Sequence, residues 1–319
     1  MTNTITEKKI PIGISSCLLG EEVRFDSGHK NNSYITGTLG NYFEFRGFCP
    51  EVAIGLGIPR EPIRLIEEEN KIQCIGTRTT SLNVTTKLIE CADQQKHWHA
   101  KIFGYILKKD SPSCGMERVK VYKNNQPQRS GTGLYAQQLM ENFPNMPVEE
   151  EGRLGDSVLR ENFIKRVFIY ERWYQLCRDK LTIASLTKFH AQHKLILMSH
   201  DQNKARDLGK KLSEISASSI TSYAQQYETD LMQLLKIKAT RKNNVNVLQH
   251  IQGYLKNHLD KEDKRELTEV IEQYRLGFLP LIVPITLLKH HFMKHPNEYI
   301  TESYFINPHP KELMLLNSL

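Results

Sequence analysis

The chain has 319 residues, 39% of them hydrophobic and 25% charged, which is enough to bury more than one core and too polar for a membrane protein. No apolar run reaches the roughly 20 residues of a membrane span, and Met1–Lys9 reads as a short tail rather than a signal segment. The net charge of +7 is uneven: residues 1–160 carry 20 basic and 19 acidic side chains, residues 161–319 carry 23 and 17. A basic second half suggests a polyanionic partner, and a basic but merely solvated surface gives the same count. The expected compartment is the cytoplasm, where the six cysteines stay reduced and metal binding or catalysis outranks disulfides.

In chain order, Ile10–Ile14 reads as a buried strand that ends on Ser15-Ser16-Cys17-Leu18-Leu19-Gly20. A polar loop follows, with Arg24, Asp26 and His29. Tyr34–Tyr42 has the pattern of a short helix weakened by Gly37 and Gly40. Phe43–Phe48 is a second strand, stopped by Cys49-Pro50-Glu51. Ile63–Ile66 and Lys71–Ile75 read as a strand pair around an acidic turn, and Asn83–His99 as a helix. Phe103–Leu107 is a third buried strand, followed by Ser111-Pro112-Ser113-Cys114-Gly115, and Gly131–Asn142 is a further helix. The alternation predicts a Rossmann-like α/β N-terminal domain.

From Glu150 the texture turns helical. Val158–Leu176, Leu186–His200, Asp201–Ser216, Ile220–Thr240, Asn244–Leu259 and Leu267–Tyr274 show spacing near 3.6, and a helix start is expected near Pro284. An all-α C-terminal domain follows, with the boundary between residues 150 and 180.

Cys17, Cys49 and Cys114 each follow a strand and sit beside a turn former, whereas Cys74, Cys91 and Cys177 fall inside apolar patterns and read as core. If the three strands are parallel neighbours, their thiols meet at one sheet edge. Three thiols suit an iron–sulfur cluster with one open iron, or a catalytic zinc with water in the fourth position, but not a four-ligand structural zinc. Glu51 could activate water, and Ser111 or Ser113 could relay a proton. Helix-dipole and turn roles account for the same residues.

These residues also carry a resemblance. Ser16-Cys17-Leu18-Leu19-Gly20 with Val23-Arg24, Cys49-Pro50-Glu51-Val52 with Pro59-Arg60, Ser111-Pro112-Ser113-Cys114-Gly115 and Glu150-Glu151-Gly152-Arg153-Leu154 resemble the TudS family of thiouracil desulfurases. Phe25 stands where Tyr is expected there, and Ser27 where Gly is usual. In the second half, Phe189-His190, His193-Lys194, the stretch Asn246–Tyr254 and Pro280–Pro284 look like the YbgA-type helical domain.

The fusion is similar to RudS-type tRNA 4-thiouridine desulfidases. The resemblance implies a desulfidase domain over 1–170 and a tRNA-binding helical domain over 171–319. It implies a [4Fe-4S] cluster on Cys17, Cys49 and Cys114 with an open iron for a thiocarbonyl sulfur. Glu51 and Ser111 would be the acid/base pair, and hydrogen sulfide and uridine the products. Arg24, Asp26, His29 and Ser113 are substrate candidates.

For phosphate contacts the candidates are Lys236, Lys238, Arg241 and Lys242, then Lys188, Lys194, Lys204, Arg206, Lys210 and Lys211. His190 with His193, and His290 with His291, are expected to pack or to contact RNA rather than bind metal. No other protein partner is expected. A desulfurase for free 2-thiouracil or thiolated nucleosides, and a non-catalytic iron–sulfur RNA-binding protein, are the alternatives.

Overall fold

The structure is a computed structural model that describes residues 9–179, 181–216, 219–308, 310 and 316. The chain divides into two compact units, residues 1–156 and 157–319. The expected boundary at 170 falls inside the first helix of the second unit, so the division comes earlier, after Asp156.

In the first unit, strands β1 (Ile10–Ser15), β2 (Phe43–Phe48), β5 (Tyr105–Leu107) and β8 (Val148–Glu150) form a parallel sheet in the order β2-β1-β5-β8. Every strand therefore ends at the same edge. The order reverses at β1, and such a switch point is where parallel sheets place ligands. β1 is almost wholly buried, as its continuous apolar run requires of a strand covered on both faces. Gly13 is needed in it because a Cβ there would stand 2.4 Å from the Tyr105 ring.

A second sheet, in the order β4-β3-β6-β7, holds β3 (Ile63–Glu68), β4 (Lys71–Gly76), β6 (Val119–Lys123) and β7 (Gln126–Gly131). Ile63, Leu65, Cys74, Val119 and Val121 pack with Leu88 and Leu134 from helices α2 (Thr85–Gln94) and α4 (Leu134–Asn142). Each such buried side chain contributes about 1.5–3 kcal/mol. The helix expected over Asn83–His99 is two pieces, α2 and a short turn Lys96–His99. Tyr34–Tyr42 forms a π turn and then a 3-10 turn rather than an α-helix, in keeping with its two glycines.

The second unit is helical: α5 (Ser157–Arg178), α6 (Ile183–His200), α7 (Gln202–Ser213), α8 (Ile220–Lys236), α9 (Arg241–Gly253), α10 (Lys261–Leu276), α11 (Ile282–Lys294) and the short α12 (Glu298–Glu302). Side chains that accept first-turn N–H groups fix several starts: Thr182 in a capping box with Ser185, Asp201, Thr240, Asp260 and Asn297. Gly277, at φ +91°, closes α10 in the left-handed conformation that glycine adopts without strain. Trp173, Phe189 and Tyr227 pack edge-to-face or tilted at the core, and Trp173 donates to Glu228 at 3.0 Å. Among the described residues no helix is long and apolar enough to cross a membrane. Redrawing the charge count at Asp156 leaves the first unit with 19 basic and 19 acidic residues and gives the second 24 and 17. The whole net charge lies on the helical unit.

Candidate active site

Three loops leave the carboxyl edge of the parallel sheet and surround a cavity of about 390 Å³. The first is a 3-10 turn, Ser16–Leu19, placing Cys17 directly after β1. Gly20 ends it at φ +96°, a conformation a larger residue would strain. Lys30 and Asn32 tie the turn down by donating backbone N–H groups to the carbonyls of Cys17 (2.7 Å) and Leu18 (3.2 Å). The second loop starts at Cys49, which precedes the short helix α1 (Pro50–Ala53) carrying Glu51. The third runs from Lys108 to Cys114. The Lys108 N–H donates to Ser15 Oγ at 3.0 Å, joining the ends of β1 and β5.

Cys17, Cys49 and Cys114 all line the cavity. Cys17 and Cys114 are buried and Cys49 is half-buried. Burial raises all three thiols, Cys17 to about 11, with the neighbouring Cys49 adding to the rise at both Cys17 and Cys114. Cys74 and Cys91 are core, as expected, whereas Cys177 is exposed on α5. Among the described residues no three His, Cys, Asp or Glu side chains are gathered to share a single metal ion.

Beside the thiols runs a chain of hydroxyls. Ser111 Oγ lies 2.9 Å from Ser113 Oγ, and Ser113 Oγ donates to Glu51 Oε1 at 2.6 Å. Glu51 therefore meets Ser113 directly, and Ser111 only through it. Ser111 Oγ also accepts the N–H groups of Ser113 (3.3 Å) and Cys114 (3.1 Å), which stabilise negative charge on that oxygen. The loop is held by α4: Gly133 donates to the Gly115 carbonyl at 2.8 Å, Leu134 to Pro112 at 3.1 Å and Ala136 to Ser113 at 3.1 Å. A Cβ on Gly133 would stand 2.5 Å from the Ser113 backbone, so only glycine permits this approach.

The other carboxylate oxygen of Glu51 is gripped by Arg60, whose Nε and Nη2 stand 2.9 and 2.8 Å from Oε2. Arg60 Nη1 donates to the carbonyls of Val23 and Gly57, both at 2.9 Å. Its side chain is 5% exposed and lines the cavity. Sequence reasoning placed Arg60 in a motif but gave it no role; the signal was an arginine nine residues after an acidic residue on a thiol-bearing loop. Lys108 was also missed. Its Nζ pairs with Glu151 at 2.5 Å, while Glu151 Oε2 accepts the Lys109 N–H at 2.8 Å.

Of the substrate candidates, Arg24 and Ser113 line the cavity, and Asp26 and His29 do not. Asp26 is spent on Arg24 (3.3 Å) and on the Gly28 N–H (3.2 Å), and His29 Nδ1 accepts from the Asn31 N–H.

In the second unit, Arg241 is committed to the fold: Nη1 donates to the Tyr274 carbonyl at 2.7 Å and the guanidinium covers the Tyr274 ring. Lys236, Lys238 and Lys242 are exposed, as are Lys194, Lys204, Arg206 and Lys210. Lys188 and Lys211 pair with Glu302 and Asp230. His190 and His193 pack rather than converge on a metal. His190 bonds Tyr227 Oη at 3.0 Å, and His193 lies between the Phe189 and Tyr304 rings. His291 is buried and His290 exposed.

Residues 12–151 match the family model described as 2-thiouracil desulfurase. The uncharacterized protein YbbK of Bacillus subtilis (strain 168) is 30% identical over 116 residues, 32% of this chain and 71% of that protein. The chain belongs to the 2-thiouracil desulfurase family. The solved structure of the [4Fe-4S]-dependent thiouracil desulfidase TudS is 30% identical, with a TM-score of 0.38, covering 49% of this chain and 98% of that one. Residues 194–310 match a family described as a protein of unknown function, DUF1722. The uncharacterized protein YbgA of Escherichia coli (strain K12) is 29% identical over 154 residues, 48% of this chain and 91% of that protein. The desulfurase family match thus stops at the sheet-bearing unit, and the helical unit carries a second family.

Proposed function

We propose that the chain is a hydrolytic desulfidase whose [4Fe-4S] cluster is held by Cys17, Cys49 and Cys114, and that its substrate is 4-thiouridine in tRNA. The observation that carries the reading is the cavity, where three thiols and the Glu51–Ser113–Ser111 chain open onto one space.

The donor set fits the group. A cluster distributes its thiolates over several irons, so three cysteines lining one cavity suit it. Glu51, a carboxylate of the cavity wall, is engaged by Arg60 and Ser113, which supports a ligand set of the three sulfurs alone. When bound, the cluster supplies a soft Lewis-acidic iron for the thiocarbonyl sulfur.

The chain's own residues supply the proton chemistry. Water oxygen bonds the ring carbon, the carbon–sulfur bond breaks, and the sulfur leaves as hydrogen sulfide, with no electron donor required. Glu51 Oε1 accepts the proton of the attacking water. Ser113, bonded to the same oxygen, and Ser111 beyond it relay that proton to the departing sulfur; the second water proton follows as the new carbonyl forms, so both end in hydrogen sulfide and the ring N–H is kept. The two N–H groups on Ser111 Oγ steady that oxygen while its own proton is away. Arg60 fixes the carboxylate and balances its charge.

For the tRNA substrate the support is the charge of the helical unit and its exposed lysines. A 4-thiouridine in folded RNA has to be turned out of its stack to reach a cavity this size. Anaerobically prepared protein should contain iron and sulfide, and should release sulfide from thiolated tRNA faster than from free 2-thiouracil. Iron-free protein, with Cys17→Ala as active as the parent, would remove the central claim. Faster turnover of the free base would remove the tRNA substrate alone.

A further inference from the structure

The cavity mouth carries an exposed aromatic and two cations that the desulfidation chemistry does not use. Phe25 lines the cavity and is 38% exposed, among the largest exposed apolar side chains of its unit. Its backbone is fixed, since its carbonyl accepts the Arg60 N–H at 3.0 Å. Arg24 lies over one face of the ring at 5.3 Å and is itself held by Asp26. Lys30 and Lys109 also line the mouth, and neither has an ion-pair partner among the described residues. Lys108 is instead spent on Glu151, and Asp110 on Arg129.

A neutral uracil-sized base gains nothing from two free ammonium groups. It leaves unused the part of the Phe25 ring that faces solvent at the rim of the cavity. An aromatic platform with flanking cations is the combination that grips single-stranded nucleic acid, one element stacking a base and the other meeting phosphate. We infer that Phe25, backed by Arg24, stacks the nucleobase adjacent to the thiolated one, while Lys30 and Lys109 hold the phosphates on either side. The inference rests on the desulfidase reading for the identity of the central base and extends it: the site takes a thiolated base within a polynucleotide, and Phe25 is a specificity-determining residue.

The test is binding, read independently of turnover. Fluorescence anisotropy with a labelled four-nucleotide uridine oligoribonucleotide, with and without a central 4-thiouridine, is measured on the full chain. Phe25→Ala should weaken binding about 5- to 150-fold, the range expected for one lost base–aromatic stack. Phe25→Trp should restore it. Lys30→Ala with Lys109→Ala should reduce the slope of log affinity against log salt by about 1.4, at about 0.7 per single-strand phosphate. Unchanged affinity in Phe25→Ala, equal loss in Phe25→Ala and Phe25→Trp, or an unaltered salt slope in the double variant would overturn the inference. Absence of sulfide release with these binding effects intact would instead sink the desulfidase reading and leave the mouth as assigned.

Discussion

In the proposed reaction, Ser113 is the residue on which the proton path turns. It is fully buried, bonded to Glu51 on one side and Ser111 on the other, and it adjoins the thiol of Cys114. Ser113→Ala should lower kcat at least 10²-fold while iron content per chain stays at the parental level. Sulfide release assayed beside iron analysis separates the two effects. Arg60 makes a second case. Replacing it with Ala leaves the Glu51 carboxylate and the Val23 carbonyl without their buried donor, so a loss of about 3–5 kcal/mol in denaturant stability is expected. Arg60→Lys should recover little, because one ammonium cannot serve three acceptors in a planar fork. Ser27 sits at φ +56°, which gives a physical reason for the glycine usual at that place. Ser27→Gly is expected to leave the fold intact and raise thermal stability slightly.

The elements that build the site were largely legible, because continuous apolar runs bounded by turns mark strands buried on both faces. Cys17, Cys49 and Cys114 could be placed at strand ends on that ground alone. The hairpin of β6 and β7 was not seen. β7 is almost wholly exposed, so it has no alternating pattern to read. The available signal was Asn124-Asn125, both at positive φ, after the alternation of Val119 and Val121. β8 escaped for a different reason: it is three residues long and two of them are buried glutamates, Glu149 held by Arg153 and Glu150 by the Met116 N–H. Hydropathy cannot reveal a strand stabilised this way. The Glu51–Ser113 contact was equally hidden, since it joins residues 62 positions apart through two loops. At this scale the packing of α4 on the site loop gives a prediction. Gly133→Ala should push the Ser113 backbone away and cut turnover as strongly as Ser113→Ala, and a crystal structure of the variant would show the displaced loop.

Across the whole molecule, buried histidines lie in both units, with His99 of the sheet-bearing unit also lowered to about 4, whereas the net charge lies on the helical unit alone. Burial holds three histidines of the helical unit neutral, with pKa values lowered to about 4 for His190 and about 3 for His193 and His200. Unfolded histidine titrates near 6.5, so the unfolded chain takes up protons first as pH falls. Stability is therefore full above about pH 6.5 and lost progressively toward pH 4. Between pH 7.5 and 5.5 the loss is about 1.4 kcal/mol per histidine, measurable as a drop in the denaturant midpoint of the helical unit. The partition of charge has a further consequence, for speed. If the substrate is tRNA as proposed, the excess charge on one unit should draw that polyanion inward from a distance set by the ionic atmosphere, whereas an uncharged base would arrive by unaided diffusion. Stopped-flow association with tRNA should slow steeply as salt rises from 50 to 200 mM, and the encounter with free thiouracil should ignore it. On the proposed reading, ionic strength would then act as a selector between substrates on arrival, before either has touched the cavity.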